Sequence, residues 1–210
     1  MPAQVLASLV DPQRTAIFTQ ECQGAIVGLE AGLPDLAAAA RVEAIPNIAR
    51  LLTAVRAARV EVVHCVVQRR ADVLGSNHNA KLFAVARAMG VDIPPGSSGA
   101  EVVPELGPAE SDVILSRHHG IGPMGGTDLD AVLRNMGVTT IVGVGVSVNI
   151  AITNFVMDAV NAAYDFVLPR DAVAGVPRDD AEAIIENTLS LLATVTTTDA
   201  VIGAWSNDGA

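Results

Sequence analysis

Residues 145–152, Gly-Val-Ser-Val-Asn-Ile-Ala-Ile, are the part of this chain best arranged for chemistry. They follow an apolar run, residues 139–144, that reads as a buried parallel strand. They then open a helix with apolar positions at Ile152, Phe155, Val156, Ala159, Val160 and Ala163, the spacing of a helix packed on a sheet. A small-residue turn between strand and helix leaves backbone N–H groups free at the positive end of the helix dipole, which suits an anion or an oxyanion. Ser147 and Asn149 are residue types that favour helix caps. The position best placed for a nucleophile is Ala151, which has no reactive group. A carboxylate, Glu21, stands at the C-terminal end of the first strand candidate, residues 15–20. Its neighbour Cys22 should point to the opposite face, because side chains alternate along a strand. Two further titratable residues, His118 and His119, lie in the glycine-rich segment 117–126, and one of them is expected to face a pocket.

The elements that must position these residues alternate between strand and helix. Strand candidates are residues 15–20, 60–67, 112–116, 139–144, 165–168 and 193–197. Helix candidates are residues 45–59, with Ile45, Ile48, Leu52 and Val55 on one face, residues 80–89, a helix after Thr127, and residues 179–192. Thr127 and Asp130 have the spacing of a capping box, and Gly137 ends that helix. Strands alternating with helices imply βαβ units and a parallel sheet covered on both faces, here a three-layer α/β/α domain with six strands. Segments 21–41, 68–104 and 117–126 read as long loops after strand C-termini, the edge where ligands bind in open α/β sheets. The core spans about residues 11–198 of a single domain, with both ends as arms.

Composition narrows the class. Half of the 210 residues are apolar but only 3% are aromatic, so the core is built from Ala, Val, Ile and Leu. No apolar run reaches the roughly 18 residues of a membrane span, and Met1-Pro2-Ala3-Gln4 lacks the basic start of a signal peptide. Cys22 and Cys65 do not make a disulfide framework, and Cys65 reads as core, so a reduced, cytoplasmic protein is expected. The net charge of -10 argues against nucleic acid or anionic membranes as partners. Lys81 is the only lysine; arginine supplies the other twelve positive charges.

Several segments, in order along the chain, resemble the isochorismatase-like hydrolase superfamily, also called the cysteine hydrolase family. Residues 14–23, Arg-Thr-Ala-Ile-Phe-Thr-Gln-Glu-Cys-Gln, resemble the family's first strand ending in Asp-x-Gln. Residues 112–117 resemble its third strand, which ends in lysine. Gly126-Thr127-Asp128-Leu129 resembles its Gly-Thr-Asp-Leu helix start, and residues 145–152 its Gly-Val-x-Thr-x-x-Cys-Val turn. Asp171-Ala172 and Thr198-Asp199 resemble its later signals.

The resemblance implies an Asp–Lys–Cys triad in amidase members, and this chain departs from it at each position. Glu21 replaces the aspartate, and Ala151 the cysteine. Arg117 replaces the lysine if the strand is aligned, or His118 does if the spacing to Thr127 is kept. The Asp-x-His metal signal of some members is also absent, since Gln68-Arg69-Arg70-Ala71-Asp72 stands there. No metal and no cofactor is therefore expected. His64, in an apolar strand, reads as a hydrogen-bonded core residue.

A second branch of the family hydrolyses vinyl ethers without a cysteine, using a carboxyl group as acid. Ala151 fits that branch, with Glu21 as acid/base and Arg117 as its charge partner or as a carboxylate clamp. Glu21 is one methylene longer than aspartate, which displaces its oxygens by about 1–1.5 Å. The backbone near Ile150 and Ala151 would form the oxyanion site, with Ser147, Val148, His118 and His119 at the substrate. The family implies a cis peptide between Ser147 and Val148. The expected partners are a small-molecule substrate, a carboxylic acid being one class, and further copies of the chain in a dimer or tetramer. Two other readings stand beside this one: an inactive relative that binds a small acid or serves assembly, and an amide hydrolase with a displaced nucleophile such as Cys22.

Overall fold

The computed structural model describes residues 3–91 and 93–206. Its centre is a parallel sheet of β1 (Thr15–Gln20), β2 (Glu61–Val67), β3 (Val113–Arg117), β4 (Thr140–Val146), β5 (Asp165–Pro169), β6 (Val173–Ala174) and β7 (Thr194–Thr196). The order across the sheet is β3-β2-β1-β4-β5-β7, and β6 pairs with the end of β4. The sheet has seven strands where sequence periodicity predicts six. The additional one, β6, is two residues long and too short to show a period.

Nine helices are found among the described residues. They are α1 (Ala3–Leu9), α2 (Gly24–Val27), α3 (Pro34–Val42), α4 (Ala44–Ala58), α5 (Lys81–Ala88), α6 (Leu129–Asn135), α7 (Thr153–Asn161), α8 (Arg178–Asn187) and α9 (Thr198–Ser206). Alternating residues of β1 feed two apolar clusters. Ile17 packs with Ile48, Leu52 and Val55 of α4 and with Val201 of α9. Ala16 and Phe18 pack with Leu129 and Leu133 of α6, Phe155 and Val156 of α7, and Ile185 of α8. These are the two helical layers, and Ile45, Ile48, Leu52 and Val55 form the buried stripe of α4 as their spacing predicts. Phe155 sits edge-on to both Phe18 and Phe166, with ring centroids at 5.6 and 5.3 Å.

Several sequence expectations need correction. Segment 21–41 is not a loop, since α2 and α3 lie in it. Residues 3–9 and 198–206 do not extend as arms: α1 packs on α9, and the Trp205 indole N–H donates to the Val10 carbonyl at 2.8 Å. Residues 207–210 lie outside the described residues. The helix predicted over 179–192 ends at Asn187, where a short 3-10 turn, Leu189–Leu191, takes over. The Thr127–Asp130 capping box does not form. Thr127 Oγ1 accepts the Leu129 N–H at 3.2 Å and donates to the Pro123 carbonyl, while Asp130 faces Arg134 and Tyr164. Val160, within α7, and Ala163, past its end at Asn161, are exposed rather than on the buried stripe.

This topology fixes where a site can form. From β1 the chain builds outward through β2 and β3, then returns to place β4 on the other side of β1. The C-terminal ends of β1 and β4 thus flank a switch point, where connections leave in opposite directions and open a crevice. Gly145, in β4, lies beside Gln20 there and has φ +112°. A Cβ at position 145 would stand 2.3 Å from the Gln20 carbonyl oxygen and 3.0 Å from the Cys22 Sγ. Gly145→Ala should therefore cost about 1–3 kcal/mol through backbone strain and overpacking, read as a lower urea midpoint. An unchanged midpoint would show that the β1/β4 seam is looser than its geometry.

Candidate active site

Three strand ends bring the predicted residues together. Glu21 follows β1, Arg117 ends β3, and Ala151 lies in a π-helical turn, Val148–Ile152, after β4. The Glu21 N–H still donates to the Cys65 carbonyl at 2.9 Å, continuing the ladder to β2. Its φ of 54° is in the left-handed region, uncommon for a residue with a Cβ and concentrated at functional sites. Past this bend the strand's alternation is broken, and Glu21 lines a cavity above the sheet.

Arg117 reaches across β2 to Glu21. Its Nη2 bonds Glu21 Oε1 and contacts the Ile121 carbonyl at 3.5 Å. Its Nη1 donates to the carbonyls of Gly120, at 2.7 Å, and His119, at 3.2 Å. The guanidinium thus pins loop 119–121 as well as the carboxylate. Glu21 Oε1 also accepts from Gln20 Nε2 at 3.1 Å, while Oε2 accepts no hydrogen bond among the described residues. Both side chains are largely withdrawn from solvent, at 4% exposure for Arg117 and 16% for Glu21. Burial raises the Glu21 pKa above its ordinary 4.5, and the charge and hydrogen bond of Arg117 and the bond from Gln20 oppose it without winning. Sequence alone leaves that contest open.

The cavity has a volume of about 140 Å³. Glu21, Arg117 and Arg69 are its charged residues; Leu33, Leu36, Phe83 and Ile121 are among its apolar walls, and Ser147, Ile150 and Ala151 close one side. Phe155 and Met124 do not line it; both belong to the apolar cluster around α6 to α8.

Other predicted residues lie elsewhere or act differently. His118 and His119 are exposed and border a neighbouring cleft with Asn77 and Arg87, because the bonds to Arg117 turn that loop away from Glu21. Val148 is buried in the core rather than at the cavity. Ile150 lines the cavity, but its N–H donates to the Ser147 carbonyl at 3.2 Å and is not free for an oxyanion. Ser147 makes no side-chain cap. The non-proline cis peptide is Val146–Ser147, one residue before the position the resemblance implies. Cys22 faces the core, its Sγ 3.7 Å from the Gln20 carbonyl. Burial pushes both thiols up, Cys65 to about 12 and Cys22 further. His64 is buried between Thr19 Oγ1, at 2.7 Å, and Asp112 Oδ2, at 3.1 Å. Among the described residues there is no cluster of three His, Cys, Asp or Glu that could hold a metal ion, and no helix long and apolar enough to cross a membrane.

Sequence reasoning passes over three positioning residues. Gln23 is buried, and its amide accepts the Val67 N–H at 2.8 Å and donates to the carbonyls of Val67 and Gly99 at 2.9 and 3.0 Å. It clamps the exit of β1 to the end of β2. Asn77 accepts the Gly120 N–H at 2.8 Å, which holds loop 119–121 from outside. Arg69 lies past β2, with its backbone N–H donating to the Ile93 carbonyl at 2.9 Å and its Nη2 to the Val91 carbonyl. Gln23 is legible in the Glu-Cys-Gln triplet; the other two sit in a segment without periodicity.

A three-layer α/β/α domain with an acid and a cation at the switch point of its parallel sheet has the layout of an α/β fold that binds ligands at its strand C-termini. Comparison makes the assignment narrower. The isochorismatase domain model matches residues 15–200, and the chain belongs to the isochorismatase family. It is 27% identical over 186 residues to ureidoacrylate amidohydrolase RutB of Rhizobium rhizogenes, covering 82% of this chain and 75% of that one. It is 28% identical over 152 residues to the secreted isochorismatase effector Isc1 of Verticillium dahliae, covering 71% and 70%. Among solved structures, a cysteine hydrolase from Pseudomonas syringae pv. phaseolicola superposes with a TM-score of 0.82 at 25% identity, covering 94% and 95%.

The raised Glu21 pKa has a measurable consequence. Between pH 4.5 and the folded-state pKa, the folded protein holds a proton that the unfolded chain has released. The stability contributed by Glu21 is therefore complete below pH 4.5 and is lost as pH rises through the folded pKa. The unfolding free energy of wild type relative to Glu21→Gln should fall with pH above 4.5 in denaturant titrations. A difference that grows from acid to neutral pH would show an ion pair holding the carboxyl below its ordinary value.

Proposed function

We propose that this protein is a small-molecule hydrolase of the isochorismatase family that works without a thiol, with Glu21 as its acid/base. The observation that carries this reading is the state of Glu21: one oxygen is fixed by Arg117 and Gln20, burial favours its protonated form, and it borders an apolar cavity. Position 151, beside that cavity, offers only a methyl group. Neither cysteine lines the cavity, and both thiols are pushed toward their unreactive protonated form.

The chemistry that suits one protonated carboxyl is vinyl ether hydrolysis. Glu21 gives its proton to the terminal alkene carbon, and the resulting oxocarbenium ion takes up water at the oxygen-bearing carbon. That water loses a proton to the Glu21 carboxylate. The hemiketal then collapses as Glu21 gives that proton to the leaving alkoxide oxygen and takes up the proton of the hemiketal hydroxyl, giving a ketone, an alcohol and the protonated Glu21 that began the cycle. Arg117 stabilises the carboxylate between the two transfers, and a guanidinium does not itself shuttle the proton. An inactive, ligand-binding role is the second reading, and the engagement of both terminal nitrogens of Arg117 favours it.

A screen of purified protein against vinyl ethers, carbamates and amides separates these. Vinyl ether turnover should drop by about 10²-fold or more in Glu21→Gln and should survive thiol alkylation. Its rate should also fall on the alkaline side, as Glu21 loses its proton. Undiminished turnover in Glu21→Gln, or loss on alkylation, would sink the mechanism.

A further inference from the structure

We propose that Arg69 is the anion-binding residue of the Glu21 cavity and that the ligand it selects is a small monocarboxylate with an apolar body. This rests on the preceding reading only in taking the Glu21 cavity as the site. The sequence offers Arg117 as the carboxylate clamp, but its two terminal nitrogens are already committed to Glu21 and to the carbonyls of His119, Gly120 and Ile121. A substrate carboxylate could form a two-bond fork with Arg117 only by breaking one or more of those bonds.

Arg69 is the other cation at the cavity, and it differs in what it touches. Its Nη2 and its backbone N–H are anchored on the Val91 and Ile93 carbonyls, on the cavity wall. No carboxylate of the described residues lies within 4.0 Å of it, in contrast to Arg117. Its Nε and Nη1 have no hydrogen-bond partner among the described residues, and they are not among the buried atoms left unsatisfied. The guanidinium is half-buried and held in place with donors to spare. A planar fork of this kind pairs with a carboxylate in two parallel hydrogen bonds.

Charge and volume then define the ligand. Among the described residues two guanidiniums and one carboxyl line the cavity, and these carry at least one surplus positive charge beside walls of Leu33, Leu36, Phe83 and Ile121. Surplus charge next to apolar walls is costly, and a bound monoanion removes that cost. The volume of about 140 Å³ is close to the roughly 150 Å³ of an apolar cavity that holds benzene. The body of the ligand is thus of the size of one six-membered ring, with its carboxylate directed to Arg69 and its far atoms toward Glu21.

Calorimetric titration of the full chain with benzoate and with benzamide tests this without relying on turnover. Benzoate should bind wild type at least about tenfold more tightly than benzamide, as a charge-assisted pair requires. Arg69→Met should lose that preference, and Arg69→Lys should retain part of it. Glu21→Gln should keep the preference, whether or not it still turns over a substrate, so failure of the catalytic reading and failure of this one are distinguishable. The proposal is overturned if wild type binds no benzoate, if benzamide binds equally well, or if Arg69→Met binds benzoate as wild type does. Should Arg69→Met fail to fold, an Arg69→Lys variant with undiminished preference together with an equal benzoate and benzamide affinity in Glu21→Gln would also overturn it.

Discussion

The Glu21–Arg117 contact is the constraint around which this site is built. The two residues belong to strands that are not neighbours, since β2 lies between β1 and β3. Strand spacing puts β1 and β3 roughly 9–10 Å apart, so only a long side chain closes that gap. Arginine closes it and has donors left for three carbonyls of the following loop. The same contact therefore ties together a strand end, a catalytic candidate and the loop that walls the cavity. Its energetic value as a pair is small or even negative, because both groups are desolvated, but removing either partner alone would strand the other, at a cost of about 3–5 kcal/mol.

That constraint works only because the sheet changes direction beside it. The β1/β4 seam is narrow, and a glycine at 145 lets the two strands approach where any Cβ would collide with the Gln20 backbone. Gln23 adds a second clamp by holding β2 to the exit of β1. With these fixed, the bend at Glu21 lifts its carboxyl out of the strand alternation and into the crevice, while Cys22 turns into the core. Family membership and this geometry together support hydrolysis, and the absence of a thiol from the cavity wall is what turns our proposal toward acid chemistry.

Much of this is legible in the sequence, for identifiable reasons. β1 is predicted with its exact bounds because six consecutive buried positions lie between polar neighbours, and the stripe of α4 is visible because its period is regular. Glu21, Arg117 and Ala151 meet because each stands at a strand C-terminus, where topology leaves few alternatives. What is not legible depends on contacts rather than period. The short strand β6 and the helices at residues 24–42 have too few or too uniform residues to signal themselves. The outward turn of His118 and His119 follows from hydrogen bonds to Arg117 that no spacing encodes. The same is true of Ile150, whose N–H is consumed by the turn it belongs to.

The account depends most on the protonation of one carboxyl. Carbon-13 labelling of the glutamate side chains, with Glu21→Gln to assign the signal, allows the Glu21 carboxyl to be titrated directly by NMR in the folded protein. A midpoint above 4.5 is predicted, because burial outweighs Arg117. A midpoint at or below 4.5 would contradict the account: Arg117 would then outweigh burial, and Glu21 would be no better an acid than an ordinary glutamate.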